Sequence, residues 1–384
     1  MSPSLRLQIE QEIRERGPVP FSRYMEICLY DPNRGYYSRN AEQFGNAGDF
    51  YTSSDVHAVF GRLLARQFHE MWLSLGSPGE VELLELGPGR GLFARDVLDW
   101  AQKKFPDFFN ALHYRLQESS PALRARIAER LREHIETGKA TLSPPANRAI
   151  SPSDHGVIEP MQLTPSPDQR MTRSPLIVFA NEFFDALPVE ILSTQGKLHL
   201  SLENDRLREI WLPPDSEELE FLDRYGVHPE KGERIEVPLV AQRWMNAVAS
   251  SIPVGFLIVI DYGYTRAEQL AGHHRGTLMT YRMHSATPDP YQAPGEQDLT
   301  IHVNFTAIAA AASGAGLQVL PLRTQSQFLM RIGESNQFAD AFEDCRLPAE
   351  RAKVALQLKH LVTPAGMGES FQVLVASRGV EHNS

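Results

Sequence analysis

The sequence predicts an α/β protein built on one open, mostly parallel sheet. Short apolar runs alternate with helical patterns along its 384 residues, the run at 81–86 passes straight into a glycine-rich turn, and polar side chains cluster where later runs end. Strands alternating with helices indicate a sheet covered by crossover helices. A hydrophobic fraction of 42% with 22% charged residues is that of an ordinary globular chain, and the length allows one large domain or two.

The elements follow in chain order. Leu5, Ile9 and Ile13 lie on one face of a short helix that Gly17 and Pro18 stop. Glu10, Glu12 and Glu15 in that helix argue against a signal or transit peptide. Val56, Val59, Phe60, Leu63, Leu64, Phe68, Met71, Trp72 and Leu75 recur at i, i+3, i+4 spacing, which predicts an amphipathic helix with its stripe in the core. Ser54 or Asp55 is its expected N-cap, and Gly76 with Pro78 its end.

Strands are expected at 81–86, 113–117, 176–180, 256–260 and 317–322. Residues 138–175 hold seven prolines among serines and threonines and read as irregular loop. Apolar and polar residues alternate over 189–212, as in a small antiparallel meander; with the helical pattern after Pro238 this forms an insertion between two sheet strands. Residues 305–312 read as a helix closed by Gly314 and Gly316, followed by 317–322 and 327–332 as a strand pair. The sequence contains no internal repeat.

Several classes are disfavoured. Lys and Arg total 38 against 48 Asp and Glu, a net charge of −10 that would on balance repel a phosphate backbone, so no nucleic-acid partner is expected. Two cysteines, Cys28 and Cys345, are too few for a disulfide framework and fit a reducing compartment. His273 and His274 lack a partner at metal-ligand spacing, so no metal is expected. The apolar stretch at 255–260 falls far short of the roughly 20 residues of a membrane span.

Five segments carry chemistry. In VELLELGPGRGLF (81–93) a strand runs into Gly87, Gly89 and Gly91 and then a helix, where glycines let the backbone approach a ligand and the helix start offers free N–H donors. The spacing is GxGxG, with Leu92 where a dinucleotide fingerprint needs its third glycine. Glu85, at the strand end, suits an ammonium group. In YRLQESSPALR (114–124), Glu118 ends the next strand, where an acid can pair with ribose hydroxyls, and Ser119 or Ser120 would cap the helix begun by Pro121. LIVFANEFFDALPVE (176–190) thrusts Asn181, Glu182 and Asp185 out at the sheet edge beside Phe183 and Phe184. GFLIVIDYGY (255–264) repeats the design with Asp261, Tyr262 and Tyr264, and PGEQDLTIHVNF (294–305) is a polar loop with Glu296, Asp298 and His302.

With GPVPFSRYMEICLYDPNRGYY (17–37) and FGNAGDFYTS (44–53) ahead of them, these segments stand in the order of the MidA family of S-adenosylmethionine-dependent methyltransferases, which the chain resembles from about Gly17 to Arg331. The resemblance implies a class I, Rossmann-like methyltransferase fold, with a seven-stranded sheet, helices on both faces and an antiparallel last strand. It implies S-adenosyl-L-methionine as cofactor, held by Glu85, Gly87, Gly89, Gly91, Glu118, Ser119 and Asn181, with Gly48, Asp49 and Thr52 on a loop that folds over it. Asn181 to Asp185 would wall cofactor from acceptor. The family's mitochondrial members assist assembly of respiratory complex I, and its acceptor is an arginine guanidinium on the quinone-site subunit. The location implied is the cytoplasm for a bacterial member and the mitochondrial matrix for eukaryotic relatives. No oligomeric state is implied.

In this reading the chain divides into an N-terminal helical extension or lid (1–78), a methyltransferase core (79–188 and 254–334), an inserted substrate-side subdomain (189–253) and a C-terminal extension (335–384). The 138–175 stretch departs from the compact strand usual in the family, so no adenine contacts are assigned there. Arginine, with a pKa above about 12, is a poor nucleophile while its charge is delocalised, so a site must grip the guanidinium with carboxylates. The candidates are Glu182, Asp185, Glu190, Glu296 and Asp298, of which Glu182 and Asp185 are favoured as catalytic with Tyr262; Tyr264 and Phe183 would add aromatic enclosure. A cofactor-binding but non-catalytic assembly chaperone is the alternative, disfavoured by the retained acids and glycines. An NAD-dependent oxidoreductase is disfavoured by GxGxG and by antiparallel terminal strands.

Overall fold

The computed structural model describes residues 4–38, 58–144, 174–282, 285–286 and 289–380. Helix α1, Leu5–Arg16, buries Leu5, Ile9 and Ile13 and stops at Gly17, whose φ of 88° needs a glycine. Helix α2, Phe21–Tyr30, follows directly. Helix α3, Ala58–Ser74, buries Val59, Phe60, Leu63, Leu64, Phe68, Met71 and Trp72, the stripe expected from the spacing. Its expected caps, residues 54 and 55, lie outside the described residues, as does most of the 138–175 stretch.

The main sheet is mixed. Strands β1 (Val81–Leu86), β2 (Leu112–Gln117), β3 (Ala140–Leu142), β4 (Leu176–Asn181) and β5 (Gly255–Tyr264) run parallel, and β6 (Phe371–Arg378) runs antiparallel to β5. Their order is Gln318–Val319, β6, β5, β4, β1, β2, β3. Two-residue pieces, Val303–Asn304 beside β5 and Arg323–Thr324 beside β6, bring the sheet to nine strands among the described residues, where seven were expected. Leu176 to Ala180 are all buried, as befits a central parallel strand covered on both faces.

Alternate residues of each strand feed opposite layers. On one face α3, helix α4 (Leu92–Lys104) and two helices near the chain end pack with Leu83, Tyr114, Phe179 and Ile258. On the other, helices α5 (Leu239–Ser251) and α6 (Phe305–Gly314) cover Leu84, Val178, Leu257 and Leu374. The late helices of the first face are α7 (Gln325–Glu334) and α8 (Pro348–Val362).

The structure corrects the sequence reading in three places. Residues 327–332 are helical, within α7, because Thr324 Oγ1 accepts the Gln327 N–H while the Gln327 side chain accepts the Thr324 N–H, a reciprocal cap. The long antiparallel strand is β6, from the segment taken as a C-terminal extension, whereas 317–322 contributes only Gln318–Val319. Helix α5, counted with the insertion, is the crossover between β4 and β5 and packs on the sheet through Trp244, Met245 and Val248.

A second, antiparallel sheet joins Glu190–Ser193, Gly196–Glu203, Arg206–Leu212 and Ile235–Val237, and Val19–Pro20 from the N-terminal segment pairs with it. Leu5, Ile9 and Tyr24 therefore share one apolar cluster with Ile191, Leu198, Leu200, Leu299 and Ile301. That cluster brings the end of α2 to the edge of the main sheet, where the Tyr30 hydroxyl donates to the Ala186 carbonyl at 2.8 Å. No described helix is long and apolar enough to cross a membrane.

Candidate functional site

The carboxyl ends of β1, β2, β4 and β5 gather the polar residues singled out above, at the edge where open α/β sheets bind ligands. After β1, Gly87, Gly89 and Gly91 adopt φ of 64°, 53° and 72°, a left-handed run that side-chain-bearing residues avoid. The space around them differs. A Cβ on Gly87 would come within 2.9 Å of Phe183 Cδ2, and one on Gly91 within 3.3 Å of Ile127, but one on Gly89 would meet no atom within 4 Å. Gly89 therefore borders open space. Gly91 caps α4 without a side-chain hydrogen bond, so the first N–H groups of that helix rely on other acceptors.

Glu85 is buried at the end of β1, and the Tyr114 hydroxyl donates to its Oε2 at 2.8 Å. Burial raises its pKa to about 8; the Tyr114 hydrogen bond opposes the rise and the charge of Glu118 adds to it. Glu118, also buried, is fixed by its own turn: Oε1 accepts the N–H groups of Ser119 and Ser120, both at 2.8 Å. Ser120 rather than Ser119 caps the Pro121–Arg130 helix, its Oγ accepting the Leu123 N–H. Ser119 stays on the turn beside Glu118.

The end of β4 is the densest part of the site. Asn181 Nδ2 donates to Glu182 Oε1 at 3.1 Å, while Asn181 Oδ1 is enclosed and accepts no hydrogen bond among the described residues. Glu182 sits at φ 49°, a strained conformation for a non-glycine residue. Beyond it the N–H groups of Phe183, Phe184 and Asp185 converge on Asp261 Oδ2 at 3.2, 3.1 and 3.3 Å, and Asp261 Oδ1 accepts the Tyr262 N–H at 3.0 Å. Burial and the charges of Asp185 and Glu182 push the Asp261 carboxyl well above the usual range.

Asp185 is buried too, and the Tyr262 hydroxyl donates to its Oδ2 while Thr300 donates to that hydroxyl. Asp185 Oδ1 is enclosed with no hydrogen-bond partner among the described residues. Burial raises the Asp185 pKa to about 6 against the opposing Tyr262 hydrogen bond. Among the described residues no lysine or arginine pairs with Asp185 or Asp261, so acidic groups crowd here without a counter-ion for those two.

The remaining candidates separate. Glu190 accepts the Ser22 hydroxyl at 2.6 Å on the second sheet and faces Lys197, and Glu296 pairs with Arg282 at 2.7 Å; neither joins the cluster. Asp298 does join. It is buried, its Oδ1 accepts the Tyr37 hydroxyl at 3.1 Å, and its strand Asp298–Thr300 is fastened by the Ile301 N–H donating to the Asp185 carbonyl at 3.0 Å. Phe183 packs edge-on to Trp244, and Tyr262 against His302 and Phe371. Tyr264, by contrast, is a core residue stacked on His274.

His274 Nδ1 meets His302 Nδ1 at 3.0 Å, and among the described residues no group of three His, Cys, Asp or Glu is placed to hold a metal. Gly48, Asp49 and Thr52 lie outside the described residues. Sequence reasoning assigned nothing to Tyr37, Thr300 or Tyr114, and it did not foresee that Asp261 would bind the 183–185 backbone.

Fold and sheet edge together define an α/β methyltransferase. The chain belongs to the S-adenosyl-L-methionine-dependent methyltransferase family, whose model matches residues 63–322. The Drosophila melanogaster "Protein arginine methyltransferase NDUFAF7 homolog, mitochondrial" is 29% identical over 396 residues, spanning 98% of this chain and 85% of the relative. The human "Protein arginine methyltransferase NDUFAF7, mitochondrial" is 27% identical, spanning 97% and 82%. A Burkholderia thailandensis crystal structure bound to S-adenosyl-homocysteine superposes with a TM-score of 0.77 at 27% identity, covering 98% of this chain and 92% of that one. The enzyme uses S-adenosyl-L-methionine. Its sheet edge fits that cofactor: open space over Gly89, an enclosed Asn181 oxygen lacking a donor among the described residues, and a backbone-fixed acid at Glu118.

Proposed function

We propose that the enzyme methylates an arginine guanidinium of a protein, a quinone-site subunit of respiratory complex I, and so aids assembly of that complex. The observation that carries this reading is the buried acid cluster: among the described residues Asp185 and Asp261 lie side by side without a cation, and Asp185 Oδ1 has no partner there. A planar cation with several N–H donors would satisfy both deficits. The arginine methyltransferase names of full-length relatives point the same way. The net charge of −10 favours approach of a basic segment.

In this reading Glu85, Gly87, Gly89, Gly91, Glu118, Ser119, Asn181 and Thr52 hold the cofactor. When bound, S-adenosyl-L-methionine supplies an electrophilic methyl group. Glu182 and Asp185 orient the guanidinium and draw its positive charge away from the attacking nitrogen, which restores the lone pair that delocalisation removes. The proton that nitrogen sheds passes to Asp185, whose raised pKa suits it to receive one. Tyr262 and Phe183 exclude water from the line of attack, where proximity matters more than a strong base. For a bacterial enzyme the reading implies a cytoplasmic location.

Transfer of labelled methyl groups to the purified complex I subunit, with Glu182→Gln as control, tests the proposal. Label on an arginine that Glu182→Gln abolishes supports it. Cofactor binding without any transfer would favour the chaperone alternative.

A further inference from the structure

Two histidines with no part in the proposed chemistry stand beside its tyrosine. His302 meets the Tyr262 ring edge-on, with centroids 5.4 Å apart and planes at 75°. Its Nδ1 lies 3.0 Å from His274 Nδ1, and His274 in turn stacks on Tyr264 at 5.2 Å and 9°. Tyr262 and Tyr264 are two residues apart on β5 and share a face, so the histidine pair links one ring to the other. The pair is itself fastened. The His302 N–H donates to Thr277 Oγ1 at 3.1 Å, and Glu236 on the second sheet accepts the Thr277 N–H at 2.8 Å. Gln269 Nε2 donates to the His274 carbonyl and to the Tyr264 hydroxyl, both at 3.2 Å.

We infer that His302 is a positioning residue for the transfer reaction: held by His274, it keeps the Tyr262 ring at the angle from which the Tyr262 hydroxyl donates to Asp185. The inference rests on the reading that Asp185 orients the acceptor, and adds what orients Asp185. Two Nδ1 atoms in contact share one proton, so one ring donates and the other accepts. Such a bond fixes a ring torsion that is otherwise broad, which an apolar side chain in the same place could not do. Burial and the neighbouring His274 lower the His302 pKa to about 4, so near pH 6 the ring is neutral and acts on Asp185 by geometry rather than by charge. The titratable groups facing Asp185 are Tyr262 and Asp261 from β5 and Tyr37 from the segment after α2, and those facing His302 are His274 and Tyr262.

The test is an NMR titration of the full chain labelled at its aspartate carboxyl carbons, with the Asp185 signal assigned by its loss in Asp185→Asn. The wild-type midpoint is expected near 6. His302→Leu should raise it by at least about half a pH unit, the scale of one weakened hydrogen bond, and Tyr262→Phe by as much or more. The double variant should titrate where Tyr262→Phe does, because His302 acts only through the Tyr262 hydroxyl. His302→Phe, which keeps a ring but not the bond to His274, should shift the midpoint in the same direction, and it decides the matter should His302→Leu fail to fold. His274→Asn retains a donor for His302 Nδ1, tolerates the φ of 52° at that position and should keep the wild-type midpoint. A wild-type midpoint in His302→Leu or, where that variant does not fold, in His302→Phe would overturn the inference. An equal upward shift in the Tyr262→Phe background would also overturn it, since the histidine would then reach Asp185 by another route. The titration needs no acceptor, so its failure leaves the arginine reading standing, and absence of methyl transfer to arginine leaves the titration standing.

Discussion

Asp261 grips Asp185 by its backbone while opposing it by charge. Its Oδ2 accepts the Asp185 N–H at 3.3 Å, and the charge of Asp185 helps push the Asp261 carboxyl upward. The N–H bonds from Phe183 and Phe184 to the same oxygen hold the loop in a geometry that places two buried acids together before any ligand arrives. The strained backbone of Glu182 at φ 49° belongs to this arrangement.

Activity should depend on pH through that pair. The Asp185 carboxyl titrates near 6, so kcat/KM for methyl transfer should fall as pH drops through about 6, where protonation removes the charge that orients a cation. The Tyr262 hydrogen bond lowers the Asp185 pKa, so Tyr262→Phe should move this acid limb to higher pH. A pH–rate profile whose limb stays in place in Tyr262→Phe would count against the assignment.

Asp261→Ala should unfold more readily than Asp261→Asn. The alanine variant leaves the N–H groups of Phe183, Phe184, Asp185 and Tyr262 without this acceptor, a loss of about 4 kcal/mol at roughly 1 kcal/mol per bond. The asparagine variant keeps an acceptor oxygen and should lose about 1 kcal/mol or less. Urea denaturation midpoints decide the matter; equal values for the two variants would refute the loop-holding role.

Gly89→Val should lose cofactor binding by roughly two orders of magnitude in calorimetry and still fold, because its side chain enters the open space over the turn. The left-handed φ of 53° should cost about 1–2 kcal/mol of stability. Gly87→Ala presses instead on Phe183 Cδ2 at 2.9 Å, so it should disturb the Asn181–Asp185 loop as well. Normal cofactor affinity in Gly89→Val would sink the assignment of this turn.

Glu85→Gln should have opposite effects on stability and on binding. The folded state raises the Glu85 pKa from 4.5 to about 8, so wild-type stability is fully present below the unfolded value and is lost as pH rises through about 8. The neutral amide escapes that loss, so the variant's melting temperature at pH 8 should exceed that of the wild type by a few degrees, the scale of about 1 kcal/mol. Cofactor affinity should fall if the acid receives the ammonium group. A melting temperature below wild type at pH 8 contradicts the buried-acid account.

What was legible beforehand was local. Gly87 to Gly91 follow directly on an apolar strand, and Asn181 to Asp185 stand at a strand end, so period and composition sufficed to place them. The Tyr37–Asp298 contact was not legible, because nothing in either segment encodes a partner 261 residues away. Residues 327–332 were misassigned although Phe328, Leu329 and Ile332 carry helical spacing, and the overlooked signal was the Thr324–Gln327 cap. The segment read as a C-terminal extension holds Phe371–Arg378, the strand that completes the sheet beside Gly255–Tyr264.

The late position of β6 also bears on how the protein is made. On the ribosome β5 emerges about a hundred residues before β6, and until then one whole flank of that buried apolar strand, paired from Gly255 to Tyr262 in the finished fold, has no neighbour. The growing chain must keep that flank from pairing with other nascent chains throughout this interval, and a product cut short before Phe371 would carry it exposed for good.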